Sequence, residues 1–315
     1  MTPSPATLAR ALGGLTAAGA AALAWATLEA RWYTLREVTV PLLPAGQDPL
    51  RVLHVSDLHL TPSQRDKVAW VRDLASLDPH LVVDTGDNWA HREAMPALLE
   101  ALEPLLTVPG AFVLGSNDYV APRFKNPALY LLPDSRRAPQ GPPAPLPWRE
   151  LVSRLTSAGW VDLSNRRDVL KGDGRVLSLV GTDDAHMDRD EMPAAGGPDD
   201  ARTTGAPVDL HLGVTHAPYR RVLDAMHADG VDLTIAGHTH GGQLAVPLWG
   251  ALTTNCDLDT RRAKGLHGWP GPRPDRTGGA GSHWLHVSAG LGTSPYAPVR
   301  FACRPEATLL TLTSV

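Results

Sequence analysis

After residue 36 the chain is built from short apolar runs, each stopped by a polar turn. Arg51-Val-Leu-His-Val-Ser56 alternates and stops at Asp57. Leu81-Val-Val-Asp84 is a continuous run that ends in Thr85-Gly86-Asp87, and Ala111-Phe-Val-Leu114 ends in Gly115-Ser116-Asn117-Asp118. Residues 64–77 and 94–104, which lie between these runs, carry helical spacing. Short β-branched runs bounded by turns predict buried strands, and strand, loop and helix in alternation predict an α/β architecture. The second half gives strand signals at 176–180, 210–215, 231–236, 284–288 and 308–312. Residues 187–207 and 268–282, rich in Gly, Pro and Asp, read as loops, and the Pro-rich stretch 133–147 reads as a surface insertion. There is no internal repeat and no Walker or dinucleotide glycine loop.

The N-terminus is a different material. Residues 11–28, ALGGLTAAGAAALAWATL, number 18 and carry no charge. As a helix they extend about 27 Å, close to the ~30 Å hydrocarbon thickness of a bilayer. Arg10 precedes the run, Glu29, Arg31 and Arg36 follow it, and Trp25, Trp32 and Tyr33 stand where an aromatic belt would sit. The expectation is an N-terminal anchor, residues 1–36, crossing the cell membrane once, followed by one domain over 37–315. A cleaved secretory signal of an exported protein stays open, because Ala22-Leu23-Ala24 and Ala24-Trp25-Ala26 offer small residues at cleavage spacing. A soluble Ala-rich helix stays open too. Basic residues flank both ends, so charge does not assign the side of the membrane.

Composition narrows the function classes. A chain of 315 residues with 43% apolar and 20% charged residues is globular, with one or two domains. Lys and Arg total 29 against 33 Asp and Glu, a net charge of −4. No global positive field draws it to nucleic acid, so no nucleic-acid partner is expected, while a small charged substrate stays compatible. Two cysteines, Cys256 and Cys303, exclude a disulfide framework and a four-thiolate zinc module, and leave one pairing open. The 13 histidines change the picture most, through where they fall.

Metal-type ligands sit at strand ends. Asp57 and His59 follow the first strand, Asp87 the second, Asn117 and Asp118 the third, His216 the run 210–215, and His238 and His240 the run 231–236. Open α/β sheets collect ligands at the carboxyl ends of strands, so five strands bring an Asp/His/Asn set to one edge. Two divalent ions held close together need a bridging carboxylate and several nitrogen and oxygen donors. Such a pair clamps a phosphoryl oxygen and activates water near neutral pH. Mixed His, carboxylate and carboxamide donors without thiolate favour Mn, Fe or Zn in such a pair over a structural zinc. His54, Asp84 and His211 fall inside strands and read as structural, Ser56 and Thr215 as core or support, and Asp183, Asp184 and His186 as a solvated turn.

Taken together these motifs resemble the calcineurin-like metallophosphoesterase superfamily, whose pattern is D-x-H, G-D, G-N-H-D/E, a lone His and G-H-x-H. The chain has Asp57-Leu-His59, Gly86-Asp87, Gly115-Ser-Asn-Asp118, His216 and Gly237-His-Thr-His240. Its tail, Gly290-Leu-Gly-Thr-Ser294 with Val299-Arg-Phe301 and Arg304-Pro-Glu306, looks like the bacterial membrane-associated or exported branch. The resemblance implies two β-sheets sandwiched by helices. It also implies that Asp57, His59, Asp87 and His240 hold one ion, that Asp87 bridges, and that an Asn, His216 and His238 hold the second.

One loop departs from the pattern. Matched strictly, Ser116 replaces the ligand Asn, and Asn117 replaces the His that helps protonate the leaving group. A shift by one residue makes Asn117 the ligand, and this register is adopted because a carboxamide oxygen is the better donor to a hard ion. Asp118 then becomes a candidate proton source, and His216 a candidate for stabilising developing charge. The expected activity is that of a membrane-anchored, two-metal phosphohydrolase acting on phosphodiester or phospholipid-like substrates. A phosphomonoesterase with the same site, or a metal-binding membrane scaffold, is the alternative.

Overall fold

The computed structural model describes residues 4–124, 144–197, 200, 202 and 207–315. Helix α1 (Pro5–Glu29) is, over Ala9–Glu29, long and apolar enough to cross a membrane, and from Ala9 it is exposed down to its last turn. In that turn Ala26 and Glu29 are buried. The Ala26 carbonyl accepts from the Arg300 backbone N–H at 2.9 Å. The Glu29 carboxylate accepts from the N–H groups of Ala302 (3.1 Å) and Cys303 (2.7 Å). The apolar helix and the globular body therefore share this turn, and residue 36 lies within the next strand, β1 (Thr34–Leu43).

Two sheets face each other. In the first, β1 runs parallel to β14 (Glu306–Ser314), which lies antiparallel to β2 (Leu50–Val55); β3 (Leu81–Asp84), β4 (Gly110–Phe112) and β5 (Val161–Asp162) follow in parallel. The second orders β12 (Gly265–Trp269), β13 (His283–Val287), β9 (Leu233–Ala236), β8 (Leu210–Thr215), β7 (Arg175–Gly181) and β6 (Arg166–Gly172), parallel except at its two edges. A small hairpin, β10 (Ala245–Val246) and β11 (Gly250–Ala251), stands outside both.

The inner faces meet through Val52, Leu81, Val83 and Ala111 of one sheet and Leu177, Leu212, Val214, Leu233 and Ile235 of the other. The outer face of the first sheet is covered by α2 (Arg65–Asp73), α3 (Met95–Leu102) and α5 (Trp148–Ser157), through Val68, Val71, Leu98, Leu102, Leu151 and Leu155. Helix α6 (Arg220–Ala228) covers the second with Val222, Leu223 and Met226. Burial on both faces explains why β3 reads as an unbroken apolar run. Residues 133–143 of the expected insertion lie outside the described residues. Of the rest, Pro145 bridges to Val120 just before α5.

Candidate metal centre

Strands β2, β3 and β4 end side by side in one sheet, β8 and β9 in the other, and their outgoing loops converge. Asn117 and Asp118 lie on α4 (Ser116–Tyr119), a single turn after β4, and His216 follows β8 directly. Asp57, His59, Asp87, His238 and His240 all adopt φ between 41° and 69°. That left-handed conformation costs a non-glycine residue of order 1–3 kcal/mol, so it persists only where the surroundings impose it. Here they do: the Asp57 N–H donates to Gly86 O (2.8 Å) and the His59 N–H to Asp87 O (2.9 Å). Gly115 is needed for close approach, because a Cβ there would run into the Asp87 carboxylate and the His216 ring.

Five of the seven expected ligands point at one another. His59 Nε2 lies 3.3 Å from His240 Nε2 and 3.4 Å from Asp87 Oδ2. Asp87 Oδ1 lies 3.6 Å from His216 Nε2, and Asp57 Oδ1 lies 3.7 Å from His240 Nε2. Donor atoms of Asp57, His59 and His240 fall within 4.8 Å of one another, as do those of Asp57, Asp87 and His216. His216 Nδ1 donates to the Thr85 carbonyl at 2.6 Å, so in the neutral ring the proton stays on Nδ1 and Nε2 carries the lone pair. That Nε2 and Asp57 Oδ1 are buried with no hydrogen-bond partner among the described residues. An unpartnered buried polar atom costs about 1–3 kcal/mol, so two aimed into one carboxylate-rich cluster fit a cation. The donors are hard or borderline, as divalent Mn, Fe or Zn require.

The other two stand at the rim of this group. The His238 ring packs edge-on to His216 with centroids 5.2 Å apart, its Nε2 bonds the Asn255 carbonyl (3.2 Å), and its backbone N–H donates to Asp57 Oδ2 (3.0 Å). Asn117 rests on Asp87: its backbone N–H donates to Oδ1 (2.7 Å) and its Nδ2 to Oδ2 (2.6 Å). The Ser116 hydroxyl meets the Asn117 amide at 3.4 Å.

The electrostatics follow from crowded carboxylates out of water. Burial raises the Asp57 carboxyl to about 6, with Asp87 adding to the rise. Burial would raise Asp87 too, but His216, His59 and the Asn117 donors outweigh it and lower it. Burial alone would lower His216, yet Asp87, Asp184 and Asp57 carry it up to about 9. Burial lowers His59 to about 4 and holds His238 and His240 well below 6.5. The cluster thus attracts a positive charge, and three of its four imidazoles stay neutral, the form that binds metal.

Other residues are placed differently from expectation. Asp118 does not present its carboxylate to the cluster. It is fully buried and accepts from the backbone N–H groups of Asp87 (2.7 Å), Asn88 (2.9 Å) and Gly115 (2.9 Å). Asp183 and Asp184 are not a solvated turn, being 6% and 0% exposed. Asp183 takes hydrogen bonds from the Tyr119 hydroxyl (2.7 Å) and Arg189 Nε (2.9 Å). His186 packs on His238 with centroids 4.5 Å apart and meets the Tyr219 hydroxyl at 3.1 Å. The signal for this loop was the one already in use, because it leaves the carboxyl end of β7. The strand residues behave as expected. His54 bonds His286 (3.1 Å) and Thr85 (2.9 Å), His211 bonds Asp229 (2.8 Å), and Asp84 accepts from the Gly86 N–H (2.9 Å). Cys256 and Cys303 are not joined.

Residues 50–242 match the family model of the calcineurin-like phosphoesterases. The uncharacterized protein YpbG of Bacillus subtilis (strain 168) is 26% identical over 304 residues, covering 95% of each chain. Phosphodiesterase YaeI of Escherichia coli (strain K12) is 26% identical over 291 residues, covering 90% of each. The uncharacterized metallophosphoesterase YkuE of Bacillus subtilis (strain 168) is 25% identical over 319 residues, covering 97% of this chain and 94% of its own. With the family match spanning the whole ligand cluster, the chain belongs to the calcineurin-like phosphoesterase family and is a metal-dependent phosphoric ester hydrolase.

Proposed function

We propose that this chain is a membrane-anchored phosphodiesterase working with two divalent ions. The observation that carries the reading is Asp87, which turns one carboxylate oxygen toward His59 and the other toward His216. In this reading Asp57, His59, Asp87 and His240 would hold one ion, and Asp87, Asn117, His216 and His238 the other. When bound, the ions supply Lewis acidity toward the phosphoryl oxygen and an activated water. Asn117 would serve through its amide oxygen, which a half-turn of the amide would bring to Asp87's side in place of the nitrogen. His216 is held in its working tautomer by Thr85. Asp118 positions rather than reacts, since its three backbone partners tie the loops after β3 and β4 together. Retention of α1 as an anchor is supported by its last turn, whose Ala26 and Glu29 are bonded into the body. A diester substrate of phospholipid type suits an active site held at a bilayer, and the relative YaeI is named a phosphodiesterase.

The test uses the full chain in detergent with added manganese. Bis-p-nitrophenyl phosphate should turn over faster than p-nitrophenyl phosphate, and a chelator should abolish both. Faster monoester turnover would favour a phosphomonoesterase, and no chelator-sensitive turnover would leave the scaffold. The altered loop adds a second readout. No His stands between Gly115 and Asp118 to protonate the leaving oxygen, and such assistance is typically worth about 10²–10⁴-fold. Nitrophenyl diesters should therefore outpace alkyl diesters of similar size by a margin of that order. Equal rates would mean that another group, such as His186 against His238, supplies the proton.

A further inference from the structure

The hairpin β10–β11 carries side chains that nothing among the described residues covers. Leu248 is 110% exposed and Trp249 83%, with Val246 and Leu252 also exposed. Leu248 sits at φ 69°, where a side chain is strained, and among the described residues the strain secures no packing. Exposed single apolar residues are ordinary, but a Leu-Trp tip projecting from an ordered hairpin is a contact surface.

Its neighbours say what it touches. The Ala245 N–H donates to the Phe301 carbonyl (2.9 Å), and the Phe301 N–H to the Gln243 carbonyl (3.1 Å). The same tail segment receives the last turn of α1 through Arg300, Ala302 and Cys303. Hairpin, tail and the end of the apolar helix are thus one hydrogen-bonded face. Between them lies a cleft of about 390 Å³ lined by Trp25, Arg36, Pro247, Lys264, Phe301 and Arg304. Glu29 also borders it, but its carboxylate is spent on two backbone N–H groups and the Trp25 indole. Arg36 pairs with Glu306 at 3.3 Å. Lys264 meets Cys303 Sγ at 3.6 Å and Arg304 stacks on the Trp32 ring at 3.5 Å; among the described residues neither forms an ion pair.

We propose that this face is a second bilayer contact: the tip 246–249 enters the membrane beside α1, and the cleft takes the phosphate of an anionic phospholipid headgroup against Lys264 and Arg304. The inference rests on reading α1 as an anchor. Cations beside apolar and aromatic residues match the layering of a membrane surface, with charge at headgroup depth and rings and Leu below it. Two contacts also fix orientation where one helix would leave the body free to swing. The tail that links them supports the candidate metal centre, because Arg300 Nη1 and Cys303 Sγ each reach the His240 carbonyl at 3.3 Å. The contact would therefore hold the His238–His240 loop close to the headgroups.

The test is a solvent-sensitive fluorophore on Leu248→Cys in the full chain. Cys256 and Cys303 are buried, so the new thiol is the one that labels. In phosphatidylglycerol vesicles the probe should shift to the blue and be quenched by doxyl-labelled acyl chains. Lys264→Gln with Arg304→Gln should weaken that response several-fold, and phosphatidylcholine vesicles should do the same to the unmodified cleft. Flotation in alkaline carbonate reads the anchor separately. A chain that leaves the vesicles there overturns both readings. A chain that stays while the probe reports water overturns this one alone. A blue shift without doxyl quenching means the tip meets another protein copy and also overturns it. A response indifferent to headgroup charge and to the two Gln substitutions overturns the cleft as a phosphate site.

Discussion

Buried histidines occupy two kinds of place in this molecule. His54, His211, His283 and His286 lie within strands, and His59, His216, His238 and the half-buried His240 lie just beyond strand ends. Burial does not separate them. Hydrogen bonding sets His216 apart, and backbone conformation sets the other three apart. His54, His211 and His283 each engage both ring nitrogens with protein partners, whereas His216 keeps a buried, cluster-facing Nε2 without one among the described residues; His59 faces the cluster through Nε2. Three of the four strand-end histidines have positive φ, and none of the strand histidines does. A histidine at a strand end is thus a ligand candidate either because a cluster-facing nitrogen has no such partner, as in His216, or because a strained backbone aims the ring, as in His59, His238 and His240.

The harshest way to break this comparison is at the carboxylate the strand-end group shares. Asp87→Asn removes charge facing both His59 and His216. At least one ion should be lost per chain and diester turnover should fall by orders of magnitude, read by elemental analysis alongside the assay. A variant that keeps two ions and near-normal turnover would remove the bridging role.

How much of this could be read from the chain differs by region, for a physical reason. Strands β2, β3, β8 and β9 are covered on both faces, so their composition is apolar and their ends are sharp. Strand ends then delivered Asp57, His59, Asp87, Asn117, His216, His238 and His240. Edge strands gave no signal. β1 pairs on one side only and carries Pro41, and β6 and β12 mix charged, Gly and polar residues at the margins of the second sheet. The orientation of Asp118 and the burial of Asp184 were illegible too, because both depend on which backbone packs over them. Positive φ at Asp57 or His59 has no local mark in a sequence without glycine there.

A smaller effect separates the two registers of the altered loop. The Asn117 amide lies on Asp87 and the Ser116 hydroxyl does not reach it. Asn117→Ala should weaken the second ion by at least about 10–100-fold, the range seen when even an outer partner of a ligand is removed. Ser116→Ala should leave it bound. The reverse pattern in a manganese titration would restore the strict alignment with Ser116.

Acidity gives the comparison a direct readout. Burial keeps His54 well below 6.5, His283 at about 4 and His286 at about 3. The unfolded chain binds protons that these folded rings refuse, so their contribution to stability is full above about 6.5 and is lost as pH falls below it. His216 has the opposite sign. With its pKa raised to about 9, the metal-depleted fold holds a proton that the unfolded chain releases near 6.5, so that contribution is lost as pH rises toward 9. In the proposed two-ion site, a bound ion would displace this proton. Melting temperatures of metal-depleted and manganese-loaded protein should fall together in acid and diverge above pH ~6.5, the loaded form gaining. Curves that stay parallel from pH 5 to 9 would refute a proton–metal exchange at His216.

The smallest expected effect is the sharpest control. His211 lies within β8 and His216 just beyond its end, five positions or about 16 Å of extended chain apart. His211 Nδ1 bonds the Ser178 carbonyl (3.2 Å) and its Nε2 bonds Asp229 (2.8 Å). His211→Phe leaves Asp229 still paired with Arg167, whose two guanidinium nitrogens reach it at 2.6 and 2.9 Å. The cost is then the lost hydrogen bonds to a carboxylate and a carbonyl, about 1–3 kcal/mol of folding stability, with bound metal and kcat unchanged. His216→Phe makes the same chemical change where Nε2 has no protein partner among the described residues, so it should forfeit an ion instead. Denaturant melts with metal content on the pair decide it. If His211→Phe also loses metal, burial and packing along β8 govern the centre as much as the aimed lone pair does, and the division between the two kinds of histidine fails.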